Sequence, residues 1–219
     1  MVFYLFNFNL LFALFSPKIM LIFYYKNQNP THTKMMEFQY GKDYQSITLK
    51  WIEYSKISKS IKRSVIAAED DNFMNHHGFD WNQIRKAVKE NLQSKKIIRG
   101  GSTISQQVAK NIFLNPEKRY LRKINEFVLT FFLEIIMSKK RIFEIYLNVI
   151  EWGDGIYGLG NAVSYYYKTS VSDLSEYEAS KLASMINKPK YYQRNFNSDE
   201  LNLKTIKIMN RANFTNYPE

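Results

Sequence analysis

The sequence predicts an all-α, mainly helical protein. Apolar residues recur at intervals of three and four through most of the chain from Ser58 onward, which is the spacing of one face of a helix. Serine, threonine and aspartate, the residue types that cap helix starts, stand directly before several of these runs. At 219 residues the chain fits one domain with a sizeable core plus an appendage.

The first three predicted helices of this domain follow one another closely. The pattern predicts a helix over residues 60–70 that carries Val65, Ile66 and Ala68 inward and has Glu69 near its carboxyl end. Asp80 is the predicted N-cap of a scaffold helix, whose apolar residues are Trp81, Ile84, Val88 and Leu92. Thr103 and Gln106 form a T-x-x-Q capping box for a helix that ends near Phe113, with Ile104, Val108 and Ile112 buried.

The second half of the chain continues the helical pattern. A long helix over residues 117–137 has its apolar stripe, typical of a core-facing side, at Leu121, Ile124, Val128, Phe131 and Ile135. Ser138 caps a helix over residues 139–148, which carries Ile142, Ile145 and Tyr146 inward. Four glycines in eight residues, Gly153, Gly155, Gly158 and Gly160, then predict a loop with positive φ angles and close backbone approach. Ser175 and Glu178 cap a helix through Ile186, and residues 198–211 form a last amphipathic helix.

The amino-terminal segment predicts a membrane anchor over residues 1–25. Residues 1–15 are apolar or aromatic except for Asn7 and Asn9, and a second apolar run follows Pro17 and Lys18. A cleaved signal peptide is the alternative, although neither a basic n-region nor a small-x-small cleavage site precedes Lys18. Residues 26–57 are predicted to be a membrane-proximal linker with short extended pieces, and residues 58–219 the catalytic domain.

Composition narrows the function classes. The absence of cysteine excludes disulfides, thiolate metal sites and thiol catalysis. The net charge of +11 is spread among acidic residues without a nucleic-acid motif, so it indicates a solvated basic surface or an anionic lipid-phosphate partner, and we expect no nucleic acid. The adjacent histidines His76 and His77 point in different directions and lack a third ligand, so we expect no zinc.

Four sequence blocks carry a family resemblance. They are AAEDDNFMNHHGFD from Ala67, GGSTISQQVAKNIFL from Gly100, RKINEFVLTFFLE from Arg122 and KKRIFEIYLNVIEWGDGIYG from Lys139. In this order and spacing they resemble the peptidoglycan glycosyltransferases of glycosyltransferase family 51, over roughly residues 58–189. A later stretch from Tyr165 to Met185 is similar to the family's last block, although Thr169 stands where lysine is common. No S-x-x-K tetrad occurs, so the chain resembles the monofunctional members, which lack a transpeptidase domain.

The resemblance implies an activity and a site. The family polymerises lipid II into glycan strands by inverting transfer, with release of undecaprenyl pyrophosphate. It implies Glu69 and Glu126 as catalytic residues, and as substrate-binding residues Ser102, Thr103, Gln107, Lys110, Arg119 and Lys123. The resemblance implies no required cofactor, although Glu126 is a candidate ligand for a divalent cation, Mg or Mn. Asp70 is interpreted as a residue that supports the local hydrogen-bond network, and His76 as a structural residue of the family.

The family also implies an architecture and a location. A larger lysozyme-like lobe and a smaller membrane-proximal lobe would flank the cleft. A single-pass protein of the bacterial inner membrane with a periplasmic catalytic domain is expected, with lipid II, the growing strand and proteins of the wall or division machinery as partners. Two alternatives stay open: a lysozyme-like hydrolase or lytic transglycosylase, which also depends on a cleft glutamate, and a non-enzymatic membrane-tethered binding protein.

Overall fold

The computed structural model describes residues 17–94, 101–116 and 119–219, with the side chains of the last range from residue 121. Eleven helices and a two-stranded sheet make up these ranges, so the predicted all-α class is confirmed. Residues 17–25 form α1. The others are α2 (Lys34–Tyr40), α3 (Lys59–Glu69), α4 (Trp81–Ser94), α5 (Ile104–Phe113), α6 (Arg119–Ile136), α7 (Lys139–Val149), α8 (Leu159–Tyr166), α9 (Glu176–Met185), α10 (Pro189–Arg194) and α11 (Asp199–Ala212).

The core lies between two groups of helices. In one group α3, α9 and α11 pack on one another, and in the other α5 contacts α2, α6 and α7. Large side chains such as Tyr146, Trp152, Phe73 and Phe143 are fully buried between them. This packing places the end of α3 beside α5, where two of the sequence blocks meet.

The predicted helix caps are confirmed. Both capping boxes form: Thr103 with Gln106 at the start of α5, and Ser175 with Glu178 at the start of α9. Asp80 accepts a hydrogen bond from the backbone N–H of Gln83, and Ser138 caps α7. Ser198 caps α11 in the same way, although it was predicted as the first residue of that helix and not as its cap. These motifs are local, so the sequence alone predicts them well.

The prediction of short extended pieces between residues 26 and 57 is wrong for residues 34–46. They form α2, which Thr33 caps by accepting from the backbone N–H of Met36 at 3.1 Å, and a 3-10 turn over Gly41–Ser46. Met36 is fully buried, and α2 packs on α5. Tertiary burial of the short apolar stretch therefore stabilises a helix that is too short to be recognised from periodicity.

The predicted apolar stripe of α6 faces outward apart from half-buried Val128, so the expectation that this stripe packs on the core is wrong. The outward-facing stripe of α6, here called the outer apolar face, consists of Leu121, Ile124, Phe127, Phe131 and Ile135, which are 47–64% exposed. On α4, Trp81, Val88 and Leu92 are exposed as well. The core side of α6 carries Leu129, Leu133 and Ile136 instead. A hydrophobic pattern identifies an apolar side but not its partner, and α6 is apolar on two sides.

The glycine-rich segment is a hairpin whose β-structure the sequence did not predict. Strands β1 (Glu151–Gly153) and β2 (Ile156–Tyr157) pair antiparallel. The predicted positive φ angles occur at Gly155, +73°, and Gly158, +79°. The predicted close approach occurs at Gly160, where a Cβ atom would lie 2.4 Å from the Lys50 carbonyl oxygen. The start of α8, directly after the hairpin, thus packs closely against the backbone of residues 48–50.

The described part of the amino-terminal segment is docked on the domain. Ile22 of α1 is fully buried, and Arg141 of α7 donates from Nε to the Tyr25 carbonyl oxygen at 3.0 Å. Within the described ranges, none of the helices combines the length and the apolar character that crossing a membrane requires. Most of the predicted anchor, residues 1–16, lies outside the described residues, so the anchor stays a prediction.

Candidate active site

Glu69, the last residue of α3, is held by a hydrogen-bonded chain of three side chains. Gln107 of α5 donates from Nε2 to Glu69 Oε2 at 2.9 Å, and the Tyr146 hydroxyl donates to Gln107 Oε1 at 3.3 Å. Tyr146 is fully buried on α7, and burial raises its pKa well above the usual value, so the phenol stays protonated and acts as a donor. The amide of Gln107 is therefore oriented with its NH₂ group toward the carboxylate.

The environment of Glu69 favours proton uptake. Burial raises the pKa of its carboxyl group, and the neighbouring Asp70 charge adds to this effect. The hydrogen bond from Gln107 and the charges of Lys204 and Lys110 act in the opposite direction, but the pKa stays raised. A carboxylate whose pKa is moved toward neutral accepts a proton more readily than a solvated one, which suits a general base.

Asp70, the C-cap of α3, ties that helix to the start of α5. Its carboxylate accepts from the Ile104 backbone N–H at 2.9 Å and from His76 Nε2 at 3.0 Å. Because His76 Nδ1 accepts from the Gly78 N–H at 3.1 Å, the ring proton is on Nε2. Thr103 Oγ1 in turn donates to the Gly78 carbonyl at 2.7 Å. These contacts agree with the structural roles predicted for Asp70 and His76. The Thr103 hydroxyl also uses its proton in a hydrogen bond within the protein.

A group of cations lies on α5 and α6 beside a second carboxylate. Glu126 is 3% exposed and pairs with Lys123, whose Nζ lies 3.5 Å from the Ser102 hydroxyl. Half-buried Lys110 faces the same group: burial lowers its pKa, the charge of Glu126 raises it, and Arg122 and Lys123 lower it. Lys110 also interacts electrostatically with Glu69. It therefore links the carboxylate at the end of α3 to the cations of α6.

The structure brings most of the predicted site residues together. Gln107 contacts Glu69, Lys123 contacts both Ser102 and Glu126, and Lys110 interacts electrostatically with Glu69 and Glu126. Thr103 is buried next to them, with a structural set of hydrogen bonds, so its role toward a substrate stays a prediction. Arg119 begins α6, and its side chain lies outside the described part of the structure.

A cavity of about 210 Å³ opens beside Gln107 and Lys110. Its remaining lining is Met35, Gln39, Asn111, Ile150, Glu151, Tyr157, Ile186 and Pro189. Six of the ten lining side chains, counting Gln107 and Lys110, are polar. Donors and acceptors are interspersed among them, and such a lining fixes the orientation of a hydroxyl-rich ligand. The site therefore combines a candidate base, fixed cations and a polar cavity.

Sequence reasoning missed two residues that act on Glu69. Tyr146 was predicted as a core residue, and its apolar neighbours on α7 gave no sign that the hydroxyl reaches Gln107. Lys204 of α11 donates to the Ser184 carbonyl at 2.6 Å and to Asn187 Oδ1 at 2.7 Å, which holds its charge toward Glu69. The 135 positions between them in the sequence hide this proximity, and only the packing of α11 on α3 shows it.

The family of the chain follows from comparison with known proteins. The model of the family described as Transglycosylase matches residues 34–213. The chain belongs to this transglycosylase family. A biosynthetic peptidoglycan transglycosylase of Laribacter hongkongensis is 44% identical over 202 residues, which cover 90% of this chain and 89% of the relative. One of Methylobacillus flagellatus is 49% identical over 168 residues, covering 77% and 73%, and one of Dechloromonas aromatica is 44% identical over 195 residues, covering 87% and 84%.

The matched transglycosylase region includes every described element from α2 to α11. It begins at α2, so residues 34–57 lie inside the matched region together with the helices that carry the site. The relatives are matched over most of their length.

The hydrogen bond from Tyr146 to Gln107 gives a first prediction for this transglycosylase. Tyr146→Phe keeps the buried ring but removes the donor, so the Gln107 amide is free to rotate away from Glu69. We expect kcat to fall about tenfold, the equivalent of about one hydrogen bond, with KM nearly unchanged and thermal stability retained. Steady-state kinetics with lipid II measure this split. A pure stability loss without a change in kcat would contradict the positioning role.

Proposed function

We propose that this transglycosylase is a peptidoglycan glycosyltransferase that polymerises lipid II into glycan strands, with inversion and release of undecaprenyl pyrophosphate. The observation that carries the proposal is the set of charges that act on partly buried Lys110: those of Glu126 and Glu69 raise its pKa, and those of Arg122 and Lys123 lower it, while Lys123 pairs with Glu126. A hydrolase has a sugar as its leaving group and no need for such fixed cations. A diphosphate leaving group gains charge in the transition state, and preorganised cations stabilise that charge.

Glu69 is the proposed general base. The 4-hydroxyl of the acceptor GlcNAc loses its proton to the carboxylate while its oxygen attacks C1 of the donor MurNAc. The bond from C1 to the diphosphate breaks on the opposite side of the ring, which inverts the anomeric configuration. Gln107 holds the carboxylate in place during this step, and Tyr146 holds Gln107. The proton thus ends on Glu69, and the electron pair of the broken bond leaves with the diphosphate.

The cations are proposed to hold the departing diphosphate. Lys110 and Lys123 supply charged donors, Ser102 a hydroxyl, and Arg119 is placed on the same end of α6 by its sequence position. Glu126 is buried and paired with Lys123, so its proposed role is to position that lysine. The second carboxylate therefore acts on the leaving group through a cation.

No cofactor is proposed for the reaction. Among the described residues, groups of three or more histidine, aspartate or glutamate side chains suited to a metal ion are absent. Glu126, the one candidate for Mg or Mn, is paired with Lys123 and near Lys110 and Arg122, and this positive surrounding does not fit a divalent cation. Lys110 and Lys123 are proposed to balance the charge on the leaving group.

We further propose that the chain acts at the bacterial inner membrane as a single-pass protein, with residues 1–25 as the anchor and the catalytic domain in the periplasm. The outer apolar face of α6 supports this location, since contiguous exposed apolar residues mark a surface for a membrane or a protein. It lies on the same helix as Lys123 and Glu126, so contact with the bilayer would bring the cations to the depth of the lipid diphosphate. Wall or division proteins are further proposed partners.

The membrane contact can be measured directly because the chain has no cysteine. A fluorophore on Phe131→Cys in the full chain, reconstituted in anionic vesicles, is expected to show a blue-shifted emission and strong quenching by lipids with quenchers in their acyl chains. The matched control is Leu203→Cys on α11, which is 62% exposed against 52% for Phe131. Equal quenching at the two positions would contradict contact of the outer apolar face with lipid.

The products formed from purified lipid II test the function. The full chain is expected to yield long glycan and one undecaprenyl pyrophosphate for each disaccharide added. Offered finished glycan strands, it is expected to leave them intact. Shortened strands without polymer would instead show the hydrolase or lytic alternative, and binding of anionic lipid without any turnover would show the tethered binding protein.

A further inference from the structure

The cavity beside Gln107 and Lys110 contains a third carboxylate, which the mechanism above does not use. Glu151 in strand β1 lines this cavity together with Gln107, which donates a hydrogen bond to Glu69. Its side chain is 15% exposed, and its Oε1 is buried and accepts no hydrogen bond from the described residues. Lys190 Nζ forms an ion pair with Oε1 at 3.3 Å. A buried carboxylate oxygen with unused acceptor capacity is costly unless a ligand uses it.

The neighbours of Glu151 hold it in place. Gln39 of α2 hydrogen-bonds to its carboxylate and accepts from the Tyr157 hydroxyl at 2.5 Å. Burial raises the pKa of Glu151, and the Lys190 charge and these hydrogen bonds lower it again in part. Lys190 also pairs with Asp154 at 2.7 Å, so its charge is balanced independently of Glu151. The carboxylate is therefore fixed by α2 and β2 and is not required to neutralise Lys190.

The size and chemistry of the cavity indicate its occupant. About 210 Å³ corresponds to roughly seven water molecules, which limits the occupant to a group the size of one sugar unit. Donors from Lys110 and Asn111 and acceptors from Glu151 and Gln107 lie around apolar Ile186, a combination suited to hydroxyls and an N-acetyl group. An anion alone is disfavoured by the carboxylate.

We propose that Glu151 is a specificity-determining residue of the substrate, whose carboxylate accepts a hydrogen bond from a hydroxyl or amide N–H of the sugar unit bound next to Glu69. This proposal rests on the proposed function and adds a residue of the hairpin to the saccharide site. Because α2 holds Glu151 through Gln39, this helix, which precedes the first of the four sequence blocks, contributes to the binding site.

The test compares two substitutions at the partners of Lys190. Glu151→Gln keeps the shape but loses the charged acceptor, and it is expected to raise KM for lipid II at least about tenfold with kcat within about twofold. Asp154→Asn removes the other partner of Lys190, is not part of the cavity lining, and is expected to leave both constants within about twofold. Equal effects of the two substitutions, or no effect of Glu151→Gln, would overturn the proposal.

A second measurement separates this proposal from the polymerase function. Binding of a soluble GlcNAc–MurNAc disaccharide to the full chain is followed by NMR or calorimetry, with no turnover needed. The wild-type chain is expected to bind it and Glu151→Gln to bind it at least about tenfold more weakly. If polymerisation fails but this difference holds, the function is wrong and the saccharide site stands. Equal binding by both chains would refute the site even in an active enzyme.

Discussion

Replacing Glu69 with glutamine is expected to abolish polymerisation of lipid II, with a loss of at least about 10³-fold in kcat. The amide cannot take the proton of the acceptor hydroxyl, and a positioned general base contributes about 10²–10⁴-fold to a rate. Glutamine keeps the size of the side chain and a carbonyl oxygen for the hydrogen bond from Gln107. The loss is therefore expected in kcat, while binding of lipid II is retained.

The same substitution has an expected effect on stability with a defined sign. Burial raises the pKa of Glu69 in the folded state, so ionising it costs folding free energy as the pH rises from the unfolded-state pKa through the folded-state pKa. Glu69→Gln removes this cost, so above that window the variant should unfold at the same or a higher temperature than the wild type. In the wild type, kcat should fall as the pH drops through the raised pKa. A strongly destabilised Glu69→Gln variant would contradict the expected effect on stability, and a variant that retains activity would exclude the carboxylate as the base.

Replacing Lys110 with methionine is the second change with a large expected effect. Methionine has similar length and no charge, and Lys110 is the cation that interacts with both Glu69 and Glu126. Removing one preorganised donor from a developing anion costs about 10²–10³-fold in kcat. Burial lowers the pKa of Lys110, which means that its charge is costly to bury. The Lys110→Met variant removes this charge and should therefore lose little stability.

The matched control is Lys207→Met on α11, an exposed lysine of the same type. It should leave kcat within about twofold and thermal stability unchanged, since exposed charges contribute little. Lys110→Arg, which restores a charge in a different shape, should recover part of the lost rate. Equal losses for Lys110→Met and Lys207→Met would mean that net charge, and not a fixed cation near Glu69, determines the rate.

The sequence predicted those features of the fold that are decided locally. Capping boxes at Thr103 and Ser175 and the positive φ of Gly155 depend on a few neighbouring residues, and they form as expected. The outward direction of Phe131 on α6 was not predictable in this way. Which side of an apolar helix meets the core depends on the helices packed against it, and the pattern alone is the same for a membrane-facing and a core-facing side.

The site shows the same division between local and distant relations. Family motifs identified Glu69, Gln107 and Lys110: Gln107 donates a hydrogen bond to Glu69, and Lys110 lines the same cavity as Gln107. The residues that orient or tune them come from distant parts of the chain: Tyr146 through Gln107, and Lys204 through its charge. Glu151 lies inside a recognised block, yet only the cavity shows that it faces the same space as Gln107.

We expect a crystal structure of the full chain with undecaprenyl pyrophosphate to show diphosphate oxygens within hydrogen-bond distance of Lys110 Nζ and Lys123 Nζ. The Glu69 carboxylate should line the space next to them, as expected for an ionisable base beside the cations that hold the departing diphosphate. A diphosphate bound on another surface, with Lys110 making no contact to it, would show that these cations do not hold the leaving group.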